Sequence, residues 1–206
     1  RTITFLILKR GKGTNELCSV TPGQQIDVIG PIGNSFPLPD SIEIQNHLQG
    51  KSSQLQGDSE AISIAVIGGG IGVAPVAGFA LSLRRGSFDF YASFRTNAYG
   101  LEGIASVAKK LVITTEDGSC GDRGILPDVF NPELYDLVYA CGPTPMLKYL
   151  QRECAASIRR PLAYLSLERN MACGAGACLG CTVETIHGNK RCCVDGPVFN
   201  AAEVIL

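Results

Sequence analysis

Ala61-Ile-Ser-Ile-Ala-Val-Ile67-Gly68-Gly-Gly-Ile-Gly-Val-Ala-Pro75 is the stretch on which the fold turns. Residues 61–67 form a near-continuous apolar run, the pattern of a strand buried on both faces of a parallel sheet. The run passes straight into a glycine turn, and a helix is predicted over residues 74–84. Working outward, residues 88–94 read as a second strand and 101–109 as a helical stretch. A third strand, 111–115, ends in Glu116-Asp-Gly-Ser119. A fourth, 135–140, ends in Cys141-Gly-Pro-Thr-Pro145, with a helix reaching residue 156. Residues 162–167 are the last strand of the series. Repeated strand–helix units predict a doubly wound parallel sheet. Ligands of such sheets bind at the carboxyl ends of the strands.

Those ends supply a candidate dinucleotide site: Gly69, Gly70, Ile71, Gly72 and Val73 after the first strand, Asp117 after the third, and Cys141, Gly142 and Pro143 after the fourth. By itself the glycine turn is a weak signal. It is not G-x-G-x-x-G, because Val73 stands at the last position, and Phe94-Arg-Thr-Asn97 replaces the acidic residue expected after the second strand. A tight strand–helix turn explains it structurally. A backbone cradle for a pyrophosphate at a helix N-terminus explains it functionally. The Cys-Gly-Pro turn favours the second, since Gly142 and Pro143 form a close, rigid turn where a nicotinamide would lie. Arg95 has two readings, a partner for a 2′-phosphate or a solvated surface residue.

Beyond the last strand come Cys173-Gly-Ala-Gly-Ala-Cys178-Leu-Gly-Cys181 and then Cys192-Cys193. The spacing C-x4-C-x2-C followed by a distant cysteine is that of plant-type ferredoxins, which hold a 2Fe–2S cluster. The intervening residues are small, so backbone can fold tightly around the sulfides and aim N–H groups at the sulfurs. Structural zinc usually takes two short C-x2-C knuckles, and only one is present. A disulfide framework suits a short secreted chain, whereas this chain has 206 residues and no signal peptide at its present start. Spacing does not choose between Cys192 and Cys193. Adjacent residues point in different directions, so at most one is a ligand. The remaining cysteines, Cys18, Cys120, Cys141 and Cys154, read as buried free thiols.

The first 44 residues read as part of a small β-barrel, with strands over 3–8 and 26–29 and a short helix around 15–20. Gly13-Thr14 at that helix start suits either a phosphate or an ordinary cap. Residues 45–60, rich in Gln, Ser and Gly, read as a linker or surface loop. The predicted domains are therefore barrel 1–44, linker 45–60, nucleotide sheet 61–167 and cluster domain 168–206. A net charge of −1 gives no sign of a nucleic-acid or anionic-membrane partner. Mean hydropathy is +0.16, yet no apolar run approaches the ~18 residues of a membrane span. Nine cysteines without a secretion signal favour a reducing, cytoplasmic setting.

Barrel, nucleotide sheet and cluster in that order resemble the electron-transfer subunits of NAD-dependent, heteromeric dihydroorotate dehydrogenases, a branch of the ferredoxin–NADP reductase superfamily. The resemblance covers essentially the whole chain. It is most specific over Leu165-Ser-Leu-Glu-Arg-Asn-Met-Ala-Cys173 through Cys181, and over Cys193-Val-Asp-Gly-Pro-Val-Phe199. Gly30-Pro-Ile-Gly33, the glycine turn, Glu116-Asp-Gly-Ser119 and Cys141-Gly-Pro143 also match. In that family the last ligand lies two residues before Asp-Gly-Pro, which implies Cys173, Cys178, Cys181 and Cys193 as the metal ligands. The resemblance further implies that Leu6, Ile7 and Leu8 line a flavin, that Gly13 and Thr14 hold the FAD phosphate, and that Gly30 and Gly33 belong to the same site. The family's barrel begins earlier, with an Arg-Pro-x-Ser motif that grips FAD. This chain opens just past that point, so the expectation is a fragment, a missing N-terminus or a member that lacks the motif; the first two are favoured because a half-barrel leaves open strand edges.

What the resemblance implies for function is electron transfer in pyrimidine biosynthesis. A partner subunit oxidises dihydroorotate on FMN, and electrons pass singly to the 2Fe–2S cluster, then to FAD, and leave as hydride on NAD. A heterotetramer with two of each subunit is implied. No side-chain acid or base is required, and His47 and His187 read as surface residues. Two other readings share these motifs: a reductase subunit of the same superfamily serving ferredoxin, hydrogenase or sulfur reduction, and a non-catalytic metal-binding module.

Overall fold

The structure is a computed structural model that describes residues 3–52 and 62–206. Its centre is a seven-stranded sheet in the order β4-β3-β2-β1-β5-β6-β9. The strands are β1 (Ile64–Gly69), β2 (Phe88–Phe94), β3 (Lys110–Thr115), β4 (Asp122–Arg123), β5 (Leu137–Cys141), β6 (Leu162–Ser166) and β9 (Val198–Asn200). The first six run parallel; β9 returns antiparallel to β6. Every residue of β1, β5 and β6 is buried, which is why they read as unbroken apolar runs rather than alternating ones.

Side-chain alternation divides the core. Ala65, Ile67, Val138 and Ala140 pack on one face of the sheet. Ile64, Val66, Leu137 and Tyr139 pack on the other. Each large aliphatic side chain so buried stabilises the fold by about 1.5–3 kcal/mol. Helix α3 (Val73–Ala80) covers β1 through Val73, Val76, Ala77 and Ala80, and α6 (Thr144–Ala156) buries Leu147, Leu150 and Cys154. From residue 62 onward the predicted strands and helices all appear, with ends shifted by a few residues. The predicted helix over 101–109 shrinks to α4 (Ile104–Val107). β4, α5 (Leu126–Val129) and the small hairpin β7 (Thr182–Thr185) and β8 (Gly188–Arg191) have no counterpart in the sequence reading.

The N-terminal segment departs most from expectation. Residues 3–8 and 26–29, expected as barrel strands, form no strand, and α1 (Lys12–Leu17) is the one regular element before α2 (Ile42–Ser52) among the described residues. Ile3 is 75% exposed and Ile29 81%. Alternating β-branched residues make a strand only when a neighbour completes the hydrogen-bond ladder, and neither run has one here. The segment docks through a few anchors instead. Phe36 packs on Phe79 of α3 and edge-on to Tyr139 of β5 at 5.1 and 5.5 Å. The Tyr139 hydroxyl donates to the Pro37 carbonyl at 2.7 Å, and Ile44 is fully buried. Residues 45–60, read as linker, are helical as far as Ser52 in α2; the rest of that stretch lies outside the described residues. Cys141 and Cys154 are buried as expected, whereas Cys120 is half-buried and Cys18 exposed. Cys18 sits at the end of α1, which has no buried residue, so nothing covers it.

Candidate functional site

The cysteine loop runs from the end of β6 to β7, and its backbone is folded onto its own sulfurs. The Cys173 sulfur accepts the N–H groups of Ala175 and Cys178, each at 3.4 Å, and the Cys178 sulfur accepts that of Gly180 at 3.4 Å. Hydrogen bonds from the Cys178 and Ala175 backbone lower the Cys173 thiol to about 6, so it favours the thiolate a metal needs. The curl needs positive φ at Gly174 and Gly176, and Leu179 adopts it as well. Gly176 has a second constraint: a Cβ there would stand 2.7 Å from Val194.

A second thiol pair follows in the chain. The Cys181 and Cys193 sulfurs are 3.3 Å apart and share a hydrogen bond. Hydrogen bonds from Cys193, backbone first, lower the Cys181 thiol, and the bond to Cys181 raises its partner. Cys192 points the other way. It is buried, its thiol donates to the Leu167 carbonyl at 3.1 Å, and burial pushes it up to about 11. The turn carrying Cys193 is fixed by Asp195, whose carboxylate accepts the Arg191 backbone N–H at 2.7 Å and its guanidinium Nε at 3.1 Å.

Among the described residues, no group of three or more His, Cys, Asp and Glu side chains converges on one metal ion. Two thiol pairs, Cys173 with Cys178 and Cys181 with Cys193, suit two irons better than one zinc. The backbone N–H groups aimed at Cys173 and Cys178 suit the negative charge of such a cluster. The donor set therefore fits 2Fe–2S.

At the carboxyl edge of the sheet, the β1 and β5 turns pack backbone to backbone. A Cβ on Gly72 would lie 2.5 Å from the Cys141 carbonyl oxygen, and one on Gly142 would lie 3.0 Å from Gly69. Gly69, Gly72 and Gly142 thus serve close packing. Gly70 differs: its φ is +52 and its missing Cβ faces open space, with the Tyr99 hydroxyl nearest at 3.9 Å. The opening lies at the turn that leads into α3. Ile71 and Val73 continue the turn into α3. Asp117 is exposed beyond β3; the Ser119 N–H donates to it at 3.0 Å and holds it below the usual carboxylate range. Arg95 is exposed just after β2. Pro143 caps the start of α6 and leans on Gly69. Cys141 is buried, which pushes its thiol up to about 12, so it is neutral.

A cleft of about 570 Å³ opens beside this edge, lined by Cys141, Ser166, Glu168, Asn170, Met171 and Pro197 among others. It joins the ends of β5 and β6 to the start of the cysteine loop. Ser166, Glu168 and Asn170 escaped sequence reasoning. They fall inside the specific 165–181 segment, but nothing in a linear pattern shows that they face Cys141.

The N-terminal candidates are less uniform. Leu6, Ile7 and Leu8 are 38%, 38% and 42% exposed, an apolar run open to a flat ring. The Thr14 hydroxyl is committed: it donates to the Gly11 carbonyl at 3.2 Å and accepts the N–H groups of Arg10 and Gly11. That geometry is the ordinary cap of the two earlier readings, and it leaves a phosphate to backbone groups near Gly13. Gly30 is open, and Gly33 presses against the Gly196 carbonyl. Leu6 through Leu8 and Gly30 are thus left open to an apolar ligand, whereas the Thr14 side chain is already bonded at the start of α1.

Comparison with known proteins bears on the same regions. The family model described as the iron-sulfur cluster binding domain of dihydroorotate dehydrogenase B matches residues 168–205. A protein of Clostridium acetobutylicum named dihydroorotate dehydrogenase B (NAD(+)), electron transfer subunit, is 38% identical over 204 residues, covering 99% of this chain and 74% of the relative. Its namesake in Clostridium perfringens is 36% identical, with 98% and 75% covered. That of Geobacillus kaustophilus is 37% identical, with 98% and 74% covered. Among solved structures, one of an NADH-dependent reduced ferredoxin–NADP oxidoreductase superposes with a TM-score of 0.71 at 25% identity, over 97% of this chain and 67% of that one.

Proposed function

Because the chain belongs to the family of dihydroorotate dehydrogenase B (NAD(+)) electron transfer subunits, we propose that it carries electrons from a dihydroorotate-oxidising partner subunit to NAD. The observation that carries this reading is the juxtaposition of two thiol pairs with a cleft at the carboxyl edge of a nucleotide-type sheet. When bound, the cluster supplies one-electron steps and the flavin their exchange with a two-electron hydride step.

The chain's own residues bind and orient. Cys173, Cys178, Cys181 and Cys193 hold the cluster, and the N–H groups of Ala175, Cys178 and Gly180 tune it through the sulfurs. Gly70 admits the dinucleotide pyrophosphate, and Asp117 and Cys141 through Pro143 flank it. Leu6, Ile7, Leu8 and Gly30 face the flavin. Cys141 is neutral and adds no charge beside the reacting edge, where Met171 and Pro197 supply apolar contact. The partner bears FMN, and the assembly holds two copies of each subunit. Domain limits of 1–44, 61–167 and 168–206 follow from the same reading.

Pyrimidine-linked electron transfer is favoured over a ferredoxin-linked reductase by the curated relatives, which match at higher identity than the reductase structure. The test is purification of the complex with its partner. About two irons per chain, a flavin spectrum and dihydroorotate-dependent NAD reduction are expected. Zinc in place of iron, with no flavin, would establish a non-catalytic metal module. Strong NADPH preference that disappears in Arg95→Ala would overturn NAD.

A further inference from the structure

Asn34 lies in the N-terminal segment, yet among the described residues its hydrogen bonds run to the turn after Cys193 and the start of β9. Its Nδ2 donates to the Asp195 carbonyl at 3.1 Å and the Val198 carbonyl at 2.9 Å; its Oδ1 accepts the Val198 N–H at 2.9 Å. Its backbone N–H donates to the Gly196 carbonyl at 2.5 Å. These bonds span more than 160 residues of chain. Only a carboxamide offers an acceptor and two donors in one plane; Asp has no donor at neutral pH.

Gly33, at φ +72, abuts the same Gly196 carbonyl, so the two backbones meet without any side chain between them. The turn is tied onward on both sides. Arg191 grips Asp195, two residues past Cys193. The Leu167 N–H donates to the Pro197 carbonyl at 2.9 Å, at the end of β6 beside the cleft. Attachment of the segment to the sheet is already provided by Phe36 and Ile44. Asn34 therefore adds registry rather than adhesion.

We propose that Asn34 is a positioning residue: its carboxamide sets the flavin-side segment 30–34 against the Cys193 turn and so fixes the flavin-to-cluster geometry. The proposal rests on the functional reading above. It acts through Gly30–Gly33 on one side and Cys193 on the other, without touching substrate.

The experiment uses the complete complex, wild type and with Asn34→Ala or Asn34→Asp, in stopped-flow reduction by NADH. Asp keeps the acceptor for Val198 but loses both donors. Flavin reduction should stay within about twofold of wild type. Cluster reduction should slow roughly tenfold or more in both variants, since ångström-scale misplacement costs up to about 10²-fold where positioning governs rate. Amide exchange at Val198 should quicken in Asn34→Ala. Wild-type cluster reduction per loaded chain, even with a lowered Tm, would overturn the proposal, as would equal slowing of both steps or unchanged protection at Val198. If the alanine variant loses its cofactors, the aspartate variant is read by the same criteria; loss in both means Asn34 holds the fold, which also overturns it. A wild-type complex with no flavin-to-cluster transfer would overturn the functional reading itself, and this proposal with it.

Discussion

Cys192 and Cys193 are neighbours with opposite fates, and the backbone decides between them. One thiol is driven into the core onto the Leu167 carbonyl, the other onto Cys181. Cys193→Ser should therefore bleach the iron–sulfur absorption of the purified chain. Cys192→Ser should leave it intact, because a hydroxyl can still donate to Leu167. Cys192→Ala should also keep the cluster but lose about 1–3 kcal/mol in denaturant unfolding, since a buried carbonyl is left unpaired. The reverse spectral pattern would reassign the ligand. Spacing in the sequence could not make this choice, because alternation says that adjacent side chains diverge but not which one faces the loop. Thr14 marks a similar boundary: Gly-Thr at a helix start reads equally as phosphate site or cap, and only the hydrogen bonds to Arg10 and Gly11 distinguish them.

Elements buried on both faces were legible because their apolar runs have no other explanation. β1, β2, β3, β5 and β6 lie where the sequence places them. The segments over 3–8 and 26–29 have strand-like composition but no ladder partner among the described residues, and a partner is not a property of a segment. Within the β1 turn, Gly70 and Gly72 look alike in sequence and differ in structure. Gly72→Ala should cost about 1–3 kcal/mol by overpacking against the Cys141 backbone. Gly70→Ala meets no clash but forces a side chain into positive φ, costing about 1–2 kcal/mol. It should also raise the KM for NADH roughly tenfold, about 1.4 kcal/mol, with an artificial acceptor; unchanged KM would make the turn merely structural. At the start of β5, burial alone would raise Asp136, but hydrogen bonds from Ser63 and then Arg159 outweigh it and lower its pKa. A carboxylate lowered on folding stabilises the protein above its unfolded value, about 3.9, and loses that contribution as pH falls through the folded value. Asp136→Asn should thus destabilise at pH 7 and flatten the acid limb of the unfolding curve below about pH 4; a parallel curve would refute the role.

At the scale of the molecule, the cluster loop is both a metal site and a face. Among the described residues no helix is long and apolar enough to cross a membrane; apolar side chains around the loop are nevertheless exposed. Leu179 is 62% exposed, Val194 44%, Met171 43% and Ile32 39%. Residues 32 and 174 stand close together, since the Ile32 side chain lies 3.7 Å from where a Gly174 Cβ would be. The loop and the N-terminal segment thus present one surface. Apolar patches of this kind mark interfaces, and an electron carrier must bring its cluster near the donor subunit. The contributions of Ile32 and Val194 come from distant parts of the chain and join the loop only once it is folded. Leu179 is the most exposed of the four, and it already occupies positive φ, so a change there alters the surface with little effect beneath it. Leu179→Glu should leave flavin and cluster spectra intact and weaken association with the catalytic partner subunit by about 2 kcal/mol or more, roughly thirtyfold. Co-purification and titration calorimetry measure it. A complex of wild-type affinity with normal electron transfer would place the interface elsewhere on the molecule.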